Sequence, residues 1–285
     1  MSADQRSSFE DAFVGAEDGC RIYLRTLKAG HGTPVLFVHA LAMDGSLWAD
    51  SAARLRTKLP LYAMDCRGHG QSDKPTGPYS TAQFANDILA VLTRLDAPAV
   101  HLAGCSMGGT VALAFAGHYP DRVSSLTIID ATACYGDDVE AEWETRGMRP
   151  QVQGFGSMLE FQLSRWFSDG FIRSGSDRIA KARDIFLRND PSAYLESCRM
   201  LGKADERRAL PSYCGPALVL VGSDDYATPV AMATEMAALM PAGRLKVLEG
   251  FRHFTPIEAP GLIAQEIDAF IMNAELANNA DRLHP

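Results

Sequence analysis

The chain has 285 residues, 47% of them hydrophobic and 22% charged, with a net charge of -8 at pH 7. That is enough apolar sequence for one large domain, or a domain carrying an inserted subdomain, around a substantial core. The acidic balance, with no run of lysines or arginines, argues against nucleic acid or an anionic membrane as partner, so an anionic ligand would need a local arginine.

Met1–Ser8 has neither an apolar core nor a cleavage site and is not read as a signal peptide. No apolar run approaches the ~20 residues needed to span a bilayer. Phe9–Val14 and Arg21–Leu27 are expected as opening strands around the turn Glu17-Asp18-Gly19. Pro34–His39 is a continuous apolar run, the mark of a strand buried on both faces. A helix is expected from Leu47-Trp48 to about Lys58, a strand over Leu61–Met64 and a second helix over Thr81–Leu95. The strand from Val100 and the helix after Ser106 follow, then a strand over Ser125–Asp130. Strand alternating with helix at this pace predicts βαβ units and a parallel sheet.

The rhythm then breaks. From about Ala131 to Pro211 the pattern is helical only, with one helix marked by Met158, Leu159, Phe161, Leu163, Trp166 and Phe167. Ile179, Ala182, Ile185 and Phe186 mark another, and Asp190-Pro191 opens a third through Leu195, Cys198 and Leu201. The expected division is therefore a core of residues 1–131 and 211–285 with a helical lid, 132–210, inserted into it. The sheet resumes at Ala217–Gly222, with a helix over Pro229–Met240, a strand over Arg244–Leu248 and a last helix over Pro260–Met272.

The chemistry starts at Gly104-Cys105-Ser106-Met107-Gly108, a G-x-S-x-G pattern between a strand and a helix. A nucleophilic serine raised on a strained strand-to-helix turn leaves no room for side chains two positions either side. By itself the pattern is short, and an ordinary glycine-rich turn also carries it. A serine hydroxyl needs a base, and the base needs a third group to orient it. In open parallel sheets such groups come from loops at the carboxyl ends of strands. Gly222–Pro229 leaves one strand and offers Asp224 and Asp225, and Glu249–Phe254 leaves the next and offers His253. Seven histidines without H-x-H or H-E-x-x-H spacing indicate no metal site, and no cofactor is expected. Six scattered cysteines without a C-x-x-C pair are expected as buried thiols in a reducing cytoplasm.

Over nearly its whole length the sequence resembles the α/β-hydrolase fold family. Four ordered patterns carry the resemblance: the serine turn, Asp65-x-Arg67-Gly68-His69-Gly70-x-Ser72, Gly222-x-x-Asp225-x-x-x-Pro229, and Gly250-x-x-His253 with Glu258-x-Pro260. The resemblance implies an α/β fold with a mostly parallel eight-stranded sheet and helices on both faces. It makes Ser106 the nucleophile and His253 the general base, then acid. The carboxylate that orients His253 is Asp225, because the family's acid stands three residues past the strand-end glycine. The oxyanion donors implied are the backbone N–H groups of Leu41 and Met107. The family usually has His-Gly before the first donor, and this chain has His39-Ala40, where alanine restricts the backbone. His39 is read as a structural histidine and Arg67–Gly70 as a shaped turn.

The lid is similar to that of 3-oxoadipate enol-lactone hydrolases at Arg165-Trp166-Phe167, Asp190-Pro191-x-x-Tyr194, Cys198 and Ala204-Asp205-x-Arg207 with Leu210. This implies a small anionic lactone, with Arg165 or Trp166 holding a carboxylate or ring. The plainer reading makes Trp166 lid core and leaves Arg165 solvated. The expected function is a cytoplasmic serine hydrolase of a small ester or enol-lactone in aromatic compound catabolism, acting through an acyl-enzyme as a monomer or homodimer. A carbon–carbon bond hydrolase of ring-cleavage products ranks lower, because those enzymes usually have a glycine-rich loop and a Trp where this chain has Ala40-Leu41-Ala42-Met43 and Phe254. A general carboxylesterase or arylesterase, and a non-enzymatic small-molecule receptor, complete the alternatives.

Overall fold

The structure, a computed structural model, describes residues 10–283, so Met1–Ser8 and Phe9 of the expected first strand lie outside the described residues. Strands β1 (Ala12–Gly15), β2 (Arg21–Lys28), β3 (Val35–Val38), β4 (Leu61–Asp65), β5 (Val100–Cys105), β6 (Val123–Ile129), β7 (Ala217–Gly222) and β8 (Gly243–Leu248) form one sheet in the order β1-β2-β4-β3-β5-β6-β7-β8. The β1–β2 and β2–β4 pairs are antiparallel and the rest are parallel. The apolar run Pro34–His39, read as a doubly buried strand, contains β3, which is buried along its whole length, as are β4, β5 and β7. β5 lies mid-sheet, with Gly104 level with Val38 on one side and Ile128 on the other.

Helices cover both faces of the sheet. Those of the core are α1 (Ala49–Ala52), α2 (Thr81–Arg94), α3 (Met107–His118), α9 (Val230–Leu239), α10 (Thr255–Glu258) and α11 (Pro260–Leu283). α2 starts on a capping box in which Ser80 and Gln83 satisfy each other's backbone N–H. α3 is apolar on every side because Met107–Ala116 is buried on every side. The helix expected to reach Lys58 ends at Ala52. The Asp268 carboxylate on α11 takes the N–H groups of Arg56 and Thr57 (2.7 and 3.1 Å), and Lys28 Nζ donates to the carbonyls of Leu55 and Thr57. Tertiary partners thus satisfy backbone that a longer helix would have paired.

Between β6 and β7 the chain forms α4 (Glu140–Gln153), α5 (Leu159–Trp166), α6 (Asp169–Arg173), α7 (Asp177–Leu187) and α8 (Pro191–Lys203). α8 begins as its sequence signals, with Asp190 accepting from Ala193 N–H at 2.8 Å and Pro191 in the first turn. α4 has too polar a sequence to announce itself, yet it lies along α8. A Cβ on Gly147 would come within 2.7 Å of Leu195, so the two helices meet through that glycine. The segment leaves and rejoins the core through a narrow neck, where Cys134 bridges Asp205 and Glu206 N–H donates to Ala133 O at 2.9 Å. All six cysteines are free, but Cys214 is exposed and Cys134 half-buried, so burial of every thiol does not hold.

Arg67, only 2% exposed, staples three parts of the core. It makes two bonds to the fully buried Asp87 on α2 (2.6 and 2.7 Å) and one to Asp18 in the β1–β2 turn (2.8 Å). Arg67→Met would strand the Asp87 charge in the interior. The expected loss is about 3–5 kcal/mol of unfolding free energy, read from urea denaturation followed by circular dichroism.

Candidate active site

β5 ends at Cys105 and α3 begins at Met107, so Ser106 alone makes the turn, with φ 52° and ψ -120°. Positive φ is costly for a residue with a side chain and persists only where the surroundings enforce it. Ser106 N–H donates to Ile129 O at 2.9 Å, and Ser106 O accepts from Gly109 and Thr110 N–H at 2.8 and 3.1 Å. The flanking glycines are sterically required. A Cβ on Gly104 would lie 2.2 Å from Gly108 O, and one on Gly108 would lie 2.3 Å from Val38 O.

Opposite the turn, His253 Nε2 lies 2.8 Å from Ser106 Oγ and His253 Nδ1 lies 2.8 Å from Asp225 Oδ2. Asp225 also accepts from the N–H groups of Ala227 (2.7 Å) and Thr228 (3.0 Å) and from Thr228 Oγ1 (2.8 Å). Burial alone would raise the Asp225 carboxyl, but the His253 charge and these donors outweigh it and hold the group below its ordinary value. Asp224, next in line, is exposed, and its carboxylate accepts from Ser223 Oγ. Of the two carboxylates that the sequence offers, Asp225 is the one that faces the histidine.

Behind this line sits Asp130, fully buried at the end of β6 with φ 49°. Its two oxygens accept from Gly222 N–H (3.1 Å), Thr255 N–H (3.0 Å) and Thr255 Oγ1 (2.7 Å). It thus ties the loop that carries Asp225 to the one that carries His253. Burial, then the neighbouring Asp225, pushes the Asp130 carboxyl well above its ordinary value.

The loop after β3 closes the other side. His39 is fully buried, with Nδ1 donating to Ala40 O and Nε2 accepting from Cys66 N–H, both at 2.8 Å. Burial pushes it, and its edge-on neighbour His69, below the ordinary histidine value, His69 to about 3. Here the positive φ falls on Ala42 (60°) and not on Ala40, so the missing glycine at 40 has no conformational consequence. Asn189, between α7 and α8, donates to Ala42 O at 2.8 Å and holds this loop from above. Leu41 lines the cavity, and Met107 heads α3, where a backbone N–H has no partner within the helix.

The cavity has a volume of about 110 Å³, with Ser106 and His253 on its floor and Tyr135, Arg146, Arg165 and Trp166 around it. An outer groove of about 750 Å³ adjoins it and shares Tyr135, Arg146 and Arg165. Trp166 stacks on Phe254 (4.7 Å, 15°) as well as lining the cavity, so it serves packing and pocket together. Arg165 donates to Tyr226 O and lies over the rings of Phe161 and Tyr226.

Sequence reasoning missed Arg146 and Trp143 on α4 and Tyr135 at the neck. Arg146 lies 4.9 Å over the Trp143 ring, and its Nε donates to Tyr194 Oη at 3.2 Å. Among the described residues no carboxylate pairs with it. The spacing of Trp143 and Arg146, three apart on one helix face, was the available signal. Among the described residues no group of three His, Cys, Asp or Glu could hold a metal ion, and no helix is long and apolar enough to cross a membrane.

A strand-ending serine, a histidine from a later loop and an acid between them in sequence are the parts of an α/β-hydrolase site. Residues 33–159 match the family model for the alpha/beta hydrolase fold. Similarity extends to a 3-oxoadipate enol-lactonase of Acinetobacter baylyi, 28% identical over 82% of this chain and 87% of that protein. The acetyltransferase component of the acetoin cleaving system of Pseudomonas putida is 30% identical over 90% of this chain and 68% of its own length. In structure, the chain superposes on an enol-lactonase from Burkholderia xenovorans LB400 with a TM-score of 0.86 and 26% identity, covering 92% of this chain and 100% of the other. The chain belongs to the α/β-hydrolase fold family.

Asp130→Ala would leave buried donors on Gly222 and Thr255 without an acceptor. A loss of about 3 kcal/mol or more in urea denaturation is expected.

Proposed function

We propose that this chain is a serine hydrolase that cleaves a small, carboxylate-bearing ester or enol-lactone through an acyl-enzyme. The observation that carries the reading is the Ser106–His253–Asp225 line opening onto a small cavity beside Arg146, an arginine without a carboxylate partner among the described residues. An arginine is charged at any working pH and gains most from a carboxylate in a confined site. The similarity to enol-lactonases supports the same substrate class.

In this mechanism Ser106 Oγ attacks the carbonyl carbon while His253 Nε2 takes its proton. Asp225 holds His253 in the required tautomer and steadies the imidazolium. The oxyanion is received by the backbone N–H groups of Leu41 and Met107. Collapse breaks the carbon–oxygen bond to the leaving group, which takes the proton back from His253. Water then repeats the sequence on the acyl-enzyme. Arg146 anchors the substrate carboxylate, and Arg165 stands at the rim with its guanidinium shared with Tyr226 O. The free thiols and the compact substrate fit a cytoplasmic enzyme of small-molecule catabolism.

Ser106→Ala and His253→Ala are expected to lower kcat by at least about 10³-fold with the fold retained, because the three groups act as a unit. Asp225→Asn is expected to be comparably severe and Asp224→Asn to stay within about threefold. Near-normal turnover by folded Ser106→Ala protein would overturn the mechanism.

Arg146→Met is expected to reduce kcat/KM for an anionic enol-lactone by roughly 10- to 150-fold, the worth of a charged hydrogen bond of about 1.5–3 kcal/mol. A neutral aryl ester should stay within about threefold, and Arg165→Ala should cost the lactone less than Arg146→Met. Activity on neutral esters with none on any anionic lactone would identify a general carboxylesterase instead.

A further inference from the structure

His253 sits on the loop between β8 and α10, and that loop is gripped from two sides. On the core side, Asp130 accepts from Thr255 N–H and Thr255 Oγ1. On the other, the end of α5 in the inserted segment holds the residues that flank His253. Phe254 N–H donates to Trp166 O at 3.0 Å. Arg252 Nη1 lies 2.8 Å from Ser164 O, 2.8 Å from Phe167 O and 2.9 Å from Asp169 Oδ1. A little further on, Ser168 N–H donates to the Glu258 carboxylate on α10 at 3.0 Å. The rings follow the same path: Trp166 stacks on Phe254, and Phe254 stacks on the His253 imidazole at 5.5 Å and 24°.

The last carbonyls of a helix have no partner within it and form the negative end of its dipole, so a cation is well placed there. Arg252 supplies one, with its side chain only 15% exposed. The contact runs through a single nitrogen. Nη1 has two hydrogens for three acceptors, while Nε is buried with no hydrogen-bond partner among the described residues. A side chain that merely filled this space would be apolar and would leave no donor orphaned. The guanidinium also lies 5.5 Å over the ring of Tyr226, the residue after Asp225, and Arg165 of α5 donates to the Tyr226 carbonyl. One end of one helix therefore touches the loops of both the base and the acid.

We propose that Arg252 is a positioning residue, which clasps the end of α5 and thereby sets the height and tilt of His253 over Ser106. The cavity wall at Trp166 and the base then move as one body. The proposal rests on His253 being the base. Arg252 touches no reacting atom, so it serves every substrate alike. Without the clasp, His253 Nε2 spends less time within reach of Ser106 Oγ. The proton moves in the transition state and not on binding, so the loss falls on kcat and leaves KM in place.

The test measures hydrolysis of p-nitrophenyl acetate, with kcat expressed per active serine counted by complete labelling with a fluorophosphonate. Arg252→Met is expected to lose roughly 10- to 100-fold in kcat with KM within about threefold, the cost of a misplaced base. Arg252→Lys is expected to recover kcat to within about fivefold of the wild type, because an ammonium offers three hydrogens to the three acceptors. Wild-type kcat per labelled serine in folded Arg252→Met overturns the proposal, and so does a lysine variant no more active than the methionine one. Should Arg252→Met not melt cooperatively, Arg252→Gln, neutral and shorter, is expected to lose at least about fivefold in kcat, and wild-type kcat there overturns the proposal. His253→Ala separates the two ideas: near-normal turnover in that variant rejects the base itself, whereas normal turnover in Arg252→Met beside an inactive His253→Ala rejects only the clasp.

Discussion

The site depends on backbone passing backbone with no side chain between. At the end of β5 the chain reverses through one residue, and that reversal is possible because Gly104 and Gly108 let main-chain atoms approach as closely as they do. The strain of a positive φ at Ser106 is held by hydrogen bonds to Ile129, Gly109 and Thr110. The outcome is a hydroxyl raised above a buried sheet at a defined height, against which the other groups can be set. Were either glycine given a side chain, β3 or α3 would have to move, and with them the loop that carries Leu41.

Electrostatics then sorts two carboxylates that stand at the ends of neighbouring strands. Asp130 on β6 and Asp225 after β7 are both buried, and like charges so close oppose each other's ionisation. Asp225 receives a histidine and several donors and stays charged. Asp130 receives donors from Gly222 and Thr255 but no cation, and its carboxyl is pushed toward the protonated form. One acid therefore orients the imidazole while the other fastens the loops that present it.

The sheet and the turn at Ser106 are legible in sequence because their causes are local, whereas the choice of Asp225 over Asp224 rests on the family resemblance. Steric need dictates the glycines around Ser106, and double burial dictates the apolar runs of β3, β5 and β7. What escaped notice has non-local causes. Asp268, more than two hundred residues downstream, ends the helix that Leu47 and Trp48 begin. α4 is polar along most of its length, and its meeting with α8 passes through a glycine, which carries no apolar signal. Trp143 and Arg146 ride on that helix, and in the sequence only their three-residue spacing sets the cation facing the cavity apart from solvated arginines. Arg165, visible beside an aromatic pair, drew attention instead and is already shared with a backbone carbonyl.

The narrow neck at Cys134 and Asp205 has an architectural meaning. A segment that leaves and returns at nearly one point behaves as a plug, whose replacement need not alter the register of β6 and β7. Replacing the segment would leave the register of the sheet alone but would have to supply its polar contacts to Ala42, Tyr226, Ile257 and Glu258.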